Sequence, residues 1–215
     1  MAIKAVIFDL DGTLLNTYED LANAVNFALK ENGYPEHEPE KFKIFTGNGT
    51  DVMIMRALPV YCRNEETLKK IREIYFQYYN AHSGECTRVY DGIMELLQEL
   101  KLKGIRLAVT SNKIEFMTQS VIKEYFGDIF DYVTGQGEGV APKPDPSMVK
   151  KAMNALSVEP SECLYVGDTD VDAQTGKNSG IFTVGVLWGF RDEKELRENG
   201  ADVIVSKPLE ILNYI

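Results

Sequence analysis

The sequence predicts an α/β fold, a doubly wound parallel sheet that carries an inserted all-helical domain. Three features carry that expectation. The chain opens on an apolar run of strand length, Ile3 to Phe8. From Tyr90 onward, helical and extended patterns alternate. Between them, Tyr18 to Cys86 shows helical patterning with no convincing buried strand. The expected organisation is a core built from residues 1–17 and 87–215 around a helical insertion at 18–86.

The first strand runs into Asp9-Leu10-Asp11-Gly12-Thr13. Side chains at i and i+2 of an extended segment point the same way, so Asp9 and Asp11 are expected to face one site at the strand's carboxyl end. In open α/β sheets that end is where ligands bind. A solvated Asp-x-Asp-Gly turn is the plainer alternative. Thr17 is placed to cap a helix through about Lys30, with Leu21, Val25, Ala28 and Leu29 as its apolar face. A segment from Val52 to Leu58 follows the loop Gly47-Asn48-Gly49-Thr50. A longer helix, Asn64 to about Ala81, puts Leu68, Ile71, Tyr75 and Tyr78 on one stripe. Tyr75, Tyr78 and Tyr79 read as packing residues. His37 and His82 have no paired acid or cysteine pattern and read as surface histidines.

Beyond Tyr90, Ile93 to Leu100 patterns as a helix that stops at Gly104, and Ile105 to Thr110 as a strand. A helix is expected around Phe116 to Glu124, then a short extended segment at Tyr132-Val133. Pro146 suits the first turn of the next helix, with Asp145 as its cap. Cys163 to Val166 and Ile181 to Val186 read as strands, with a helix at Asp172 to Asn178 between them. Ala201 to Val205 and Leu209 to Tyr214 close the chain, and the acidic run Asp192 to Glu198 reads as a solvated helix face.

The 215 residues carry a formal charge of -10, which leaves no basic footprint for nucleic acid. A small anionic ligand is compatible with that charge where a cation reverses the local field. Cys62, Cys86 and Cys163 are odd in number and widely spaced, neither a disulfide framework nor a zinc pattern. With no leader-like or membrane-length apolar run, a cytoplasmic protein is the expectation. No residue pattern assigns an oligomeric state.

Three later segments carry polar residues where strands end. In Val109-Thr110-Ser111-Asn112-Lys113, Ser111 either caps the next helix or, with Asn112, helps cradle a phosphate. In Pro142-Lys143-Pro144-Asp145-Pro146, prolines stiffen the backbone around one lysine, which suits a point-charge contact to phosphate. In Val166-Gly167-Asp168-Thr169-Asp170-Val171-Asp172, carboxylates again end a strand. Capping and the helix dipole account for one or two of these acids, but not for strand-end acids at two places in the chain. If Asp9, Asp11, Asp168 and Asp172 converge, each close pair repels by about 4 kcal/mol at an effective dielectric near 20. A divalent cation relieves that repulsion. With no histidine or cysteine in these segments, oxygen ligation favours magnesium over zinc. Asp9 could then attack phosphorus as a carboxylate nucleophile, and Asp11 could protonate the leaving oxygen and later activate water.

Asp9-Leu10-Asp11-Gly12-Thr13, Ser111, Lys143 and Gly167-Asp168-x-x-x-Asp172 resemble the four motifs of the haloacid dehalogenase superfamily of phosphohydrolases, in order and across nearly the whole chain. The resemblance implies a Rossmann-like core with a helical cap between the first two motifs. It also implies that the Asp11 backbone carbonyl joins Asp9 and Asp168 on magnesium, with Asp172 a ligand or a partner of the ligands. Thr46-Gly47-Asn48-Gly49 and Trp188-Gly189-Phe190 look like phosphoglycolate phosphatases within that superfamily. The expected activity is hydrolysis of a small phosphorylated metabolite, with the loop Gly47, Asn48 and Gly49 choosing the leaving group. A β-phosphoglucomutase-type mutase and a pyrophosphatase use the same core. A non-enzymatic phospho-accepting receiver fits less well, because a large lid is superfluous to it.

Overall fold

The computed structural model describes residues 2–215. The chain runs β1 (Ala5–Phe8), β2 (Leu15–Asn16), α1 (Tyr18–Glu31), α2 (Phe42–Phe45), α3 (Thr50–Ala57), α4 (Glu65–His82) and β3 (Arg88–Val89). It continues through α5 (Ile93–Leu102), β4 (Arg106–Ile114), α6 (Glu115–Phe126), β5 (Tyr132–Gln136), α7 (Ser147–Leu156) and β6 (Cys163–Gly167). The last elements are α8 (Asp170–Ser179), β7 (Phe182–Val186), α9 (Glu193–Asn199), β8 (Val203–Val205) and a 3₁₀ turn at Pro208–Tyr214. No helix among the described residues is long and apolar enough to cross a membrane.

Two compact units emerge, one from residues 1–15 and 89–215, the other from Asn16–Arg88. The first is built on a six-stranded parallel sheet in the order β5-β4-β1-β6-β7-β8. Both faces are covered, as parallel sheets require. Val6 and Phe8 of β1 share one apolar layer with Leu107, Val109, Leu164 and Val166, into which Leu96, Leu97 and Leu100 of α5 pack. The alternate residues Ala5 and Ile7 share the other layer with Ala108, Tyr165 and the Val149, Ala152 and Leu156 face of α7. This period-2 division is why β1 reads as a continuous apolar run rather than an alternating one.

The register places the ligand site. Phe8 pairs with Val109 on one side and Val166 on the other, so three adjacent strands reach the same level. The chain builds β4 and β5 to one side of β1, then returns to build β6, β7 and β8 on the other. The switch in direction falls between β1 and β6, where such sheets open a crevice at their carboxyl ends.

Several expected details change. β4 does not stop at Thr110; it continues to Ile114 through a register shift between those two residues. Ser111, Asn112 and Lys113 are polar enough to read as loop, yet they are buried. The helix after them begins at Glu115, so Ser111 does not cap it. α7 starts at Ser147, with Pro146 before it and Asp145 accepting the Ser147 N–H at 2.9 Å. Thr17 precedes α1 but makes no capping bond, and its buried hydroxyl has no hydrogen-bond partner among the described residues. The ribbon of β2 and β3 has two residues per strand, too few to leave a periodic signal.

The second unit holds α1 to α4. The buried face of α1 comprises Leu21, Ala22, Ala24, Val25, Ala28 and Leu29. On α4 the buried stripe is Ile71, Tyr75 and Tyr79, a strict i, i+4, i+8 row. Tyr78 lies beside that row and stacks on Phe27 at 4.4 Å. His37 is not a free surface histidine: its Nε2 stands 2.7 Å from the Ala57 carbonyl and its ring meets Phe45 edge-on. His82 is paired with Glu85 at 2.9 Å.

Asp20 anchors the far end of this unit to α1. The N–H groups of Gly84, Cys86 and Thr87 each donate to its carboxylate at 2.9 Å, and the Thr87 hydroxyl donates at 2.6 Å. Burial alone would raise its pKa, but the Thr87 hydroxyl and the three N–H groups outweigh burial and hold it below the usual range. Asp20→Asn places an amide donor among these donors and is expected to cost about 2–3 kcal/mol of unfolding free energy at neutral pH. Because the folded pKa is depressed, the charged form stabilises fully above the unfolded value of about 3.9 and is lost as pH falls through the folded value. Urea unfolding at a series of pH values should show the gap between wild type and variant closing only below about pH 4; a constant gap would mean the carboxylate charge is immaterial.

Candidate active site

Asp9 follows the last residue of β1, and its N–H donates to the Val166 carbonyl at 2.9 Å, so the strand pairing itself sets its height. Asp168 follows the end of the neighbouring β6, and Asp172 sits in the first turn of α8. One carboxylate oxygen from each of the three lies within 4.8 Å of the others, and all three residues are buried. Three of the four acids expected to converge, Asp9, Asp168 and Asp172, thus meet at the switch point of the sheet, whereas the Asp11 carboxylate is not in that group.

Lys143 enters this cluster from the loop before α7, with its side chain 2% exposed. Its ammonium donates to Asp9 Oδ1 at 2.6 Å, to Asp172 Oδ1 at 2.7 Å and to the Tyr165 hydroxyl at 3.1 Å. The loop is held to β4 by Asn112: the Lys143 N–H donates to Asn112 Oδ1 at 2.7 Å and Asn112 Nδ2 donates to the Lys143 carbonyl at 3.1 Å. The Asn112 side chain, expected to help cradle phosphate, is committed to this backbone. Ser111 Oγ accepts the Lys113 N–H at 3.1 Å within the shifted stretch of β4.

Three buried carboxylates face one buried ammonium. Burial, with Asp172 adding to it and Lys143 opposing, pushes the Asp9 pKa up to about 7. Burial with the charges of Asp172 and Asp9 raises Asp168 well above the ordinary carboxylate value, against donors from Phe190 and Thr13. Burial would lower Lys143, but Asp172 and Asp9 hold it well above its usual value. The cluster is short of positive charge, and its donors are all hard oxygens, so it fits a divalent cation.

The hydrogen bonds rank the three acids as ligands. A carboxylate has roughly four lone-pair sites. Asp172 accepts from Lys143 and Tyr165 on Oδ1, and from the Thr169 N–H and hydroxyl on Oδ2, which fills it. Asp168 accepts one bond per oxygen, from the Thr13 hydroxyl at 2.8 Å and the Phe190 N–H at 2.9 Å. Among the described residues Asp9 accepts from Lys143 alone. Asp9 and Asp168 thus retain capacity for a cation, whereas Asp172 is used up in orienting Lys143 and closing the capping box of α8.

Two glycines make room for Asp168. A Cβ on Gly12, whose φ is +95°, or on Gly189 would overlap the Asp168 side chain. The second of these loops is tied to the first by Trp188, whose Nε1–H donates to the Thr13 carbonyl at 2.9 Å. Residues 188–190 therefore help shape the acid cluster. Tyr165 and Lys113 also belong to the site but were not singled out in the sequence. Tyr165 reads there as one more apolar strand residue, and Lys113 meets Asp11 at 3.3 Å across 102 positions of chain.

Gly47, Asn48 and Gly49 lie in the second unit, between α2 and α3, with φ of +112° at Gly47 and +88° at Gly49. Arg56 of α3 braces this loop, donating to Asn48 Oδ1 at 2.8 Å and to the Phe45 carbonyl at 2.9 Å. A guanidinium only donates, so the Asn48 amide is turned with its NH₂ away from Arg56.

Comparison with known proteins points one way. Residues 6–186 match the family model described as haloacid dehalogenase-like hydrolase. A phosphoglycolate phosphatase of Aquifex aeolicus is 32% identical, over 99% of this chain and 97% of its own length. A phosphoglycolate phosphatase of Nitrosospira multiformis is 33% identical, over 100% of this chain and 96% of its own. A solved structure from Lactobacillus delbrueckii subsp. bulgaricus, proposed there to be a phosphoglycolate phosphatase, superposes with a TM-score of 0.95 at 32% identity, covering 100% of this chain and 99% of that one. A haloacid dehalogenase-like hydrolase from Streptococcus pneumoniae superposes with a TM-score of 0.88 at 27% identity, covering 99% and 98%.

The ligand ranking can be tested without turnover. A cation that binds only the folded protein raises its melting temperature with concentration. Titrating magnesium chloride against each variant, Asp168→Asn should weaken the concentration dependence by at least about tenfold more than Asp172→Asn. Equal weakening would mean that Asp172 coordinates as fully as Asp168.

Proposed function

Since the chain belongs to the haloacid dehalogenase-like hydrolases, we propose that it is a magnesium-dependent phosphatase that hydrolyses a small phosphomonoester of phosphoglycolate type through an aspartyl-phosphate on Asp9. The observation that carries this reading is the buried Asp9 carboxylate at the switch point of the sheet, held by Lys143 through one oxygen and still able to accept further bonds. The names of the relatives support phosphoglycolate as the substrate.

In the proposed reaction an Asp9 oxygen attacks phosphorus while the bond to the leaving oxygen breaks. Asp11 gives its proton to that oxygen, and the alcohol departs. Water then attacks phosphorus, Asp11 takes the water's proton, and the bond to Asp9 breaks to release phosphate. Magnesium would be held by the Asp9 and Asp168 carboxylates and the Asp11 backbone carbonyl, and when bound it would neutralise phosphoryl charge and favour the ionised form of Asp9. Lys143 and the Ser111 hydroxyl stabilise charge on the transferring group. The loop Gly47, Asn48 and Gly49 selects the leaving group, through the donor face that Arg56 gives Asn48. The acidic charge leaves no basic footprint for nucleic acid, and the reading is a cytoplasmic phosphatase of small molecules.

The two leading acids should fail differently. Asp9→Asn should form no phosphoenzyme in acid-quenched reactions. Asp11→Asn keeps its backbone carbonyl but loses proton transfer, a loss of about 10²–10⁴-fold in turnover, worst for poor leaving groups. Chelation should abolish wild-type activity and magnesium restore it, while calcium, which accepts six to eight oxygens at longer distances, should restore little. Near wild-type hydrolysis by Asp9→Asn would end the covalent mechanism.

A further inference from the structure

Asp11 stands apart from the other acids of the site. Among the described residues its carboxylate has one hydrogen-bond partner, the Lys113 ammonium, 3.3 Å from Oδ1. The backbone around Asp11 is fixed: the Gly12 N–H donates to the Leu15 carbonyl at 2.8 Å and the Leu14 N–H to the Leu10 carbonyl at 3.0 Å. What the turn leaves free is the Asp11 side-chain torsion, and Lys113 is the group that acts on it.

Lys113 is itself held in place. Its side chain is 5% exposed, and it lies in the stretch of β4 where the register shifts. Its N–H donates to Ser111 Oγ at 3.1 Å, and its carbonyl accepts the Thr118 hydroxyl at 3.1 Å. β5 closes over that carbonyl: a Cβ on Gly135 would stand 2.5 Å from it. The stretch of β4 in which the register shifts is thus the one whose cationic side chain reaches the loop after β1.

The length of the contact is informative. Lys143 grips its carboxylates at 2.6 and 2.7 Å, the range of strong charge-assisted bonds. Lys113 stands well outside that range from Asp11. A carboxyl that must meet a leaving oxygen has to be aimed yet remain able to move, and a long contact to a fixed cation does both.

We propose that Lys113 is a positioning residue for Asp11, setting the direction of its carboxyl and so the alignment of proton transfer to the leaving oxygen. The proposal rests on the proton-transfer role given to Asp11 above. It makes Lys113 matter in proportion to how much proton a leaving group needs. An alkoxide must be protonated as the phosphorus–oxygen bond breaks, whereas 4-nitrophenolate departs with little help.

Phosphate release from ethyl phosphate and from 4-nitrophenyl phosphate, measured on the magnesium-loaded enzyme, tests it. Lys113→Met should lower kcat for ethyl phosphate at least about tenfold more than for the aryl ester, with KM for both moving less than about threefold. Lys113→Arg should recover most of the loss. The double variant Asp11→Asn/Lys113→Met should be no slower on ethyl phosphate than Asp11→Asn alone, because Lys113 acts through Asp11. If Lys113→Met is misfolded by circular dichroism, Lys113→Gln carries the same comparison. Equal losses on the two esters, or additive losses in the double variant, overturn the proposal. If Asp11→Asn discriminates between the esters and Lys113→Met does not, the Lys113 inference alone fails. If Asp11→Asn does not discriminate, the proton-transfer role fails and the inference falls with it.

Discussion

The site depends on the position of one ammonium. Lys143 lies buried between Asp9 and Asp172, and an ion buried this deeply is tolerable only while its partners are exact in place and number. Each partner is fixed by a different part of the fold. Asp9 is set by the pairing of β1 with β6, Asp172 by the capping box of α8, and Lys143 by the two bonds that Asn112 makes to its backbone. The β1–β4–β6 register is therefore a condition of the chemistry as well as of the core. Slipping any one strand by a residue would turn its acid or its clamp to the opposite face.

Even so arranged, the cluster is unbalanced. Asp168 adds a third buried carboxylate whose hydrogen-bond partners among the described residues are a hydroxyl and an N–H, with no cation. Neutral donors lessen the penalty of burying that charge without cancelling the repulsion from Asp9 and Asp172, which is why burial and those two charges drive the Asp168 pKa upward. Such frustration is characteristic of sites that complete themselves with a ligand. Gly12 and Gly189 point the same way, because each lets the backbone close on Asp168 where a side chain would push it out.

The backbone of this site was legible because its signals are local. A buried strand ending in acids can be read from an apolar run and a period of two, and that sufficed for Asp9, Asp11 and Asp168. Lys143 stood out because prolines flank it. What stayed hidden are relations between distant positions. Nothing near Lys113 announces Asp11, and nothing near Asn112 announces the Lys143 backbone. Tyr165 has an apolar ring that satisfies the strand pattern, which conceals the hydroxyl that bonds Lys143 and Asp172. The extension of β4 through Ser111, Asn112 and Lys113 was missed for a related reason. Polar residues predict a loop when their partners are unknown, but here each is buried against a specific partner. In the second unit, the choice of Tyr78 over Tyr79 for the buried stripe was an error of one position in a helix where both are aromatic, and only the packing of Ile71 and Tyr75 decides it.

The division of labour between Asp168 and Asp172 shows how far hydrogen-bond accounting can go beyond residue type. By sequence the two are equivalent acids near the start of one helix. In the fold, Asp172 reaches its full complement of donors, two of them from Thr169, so that α8 is capped and Lys143 is aimed by the same side chain. Asp168 precedes the helix cap, and its two partners leave half its acceptor capacity open. The capping box thus decides which acid is committed to structure and which stays open to a ligand.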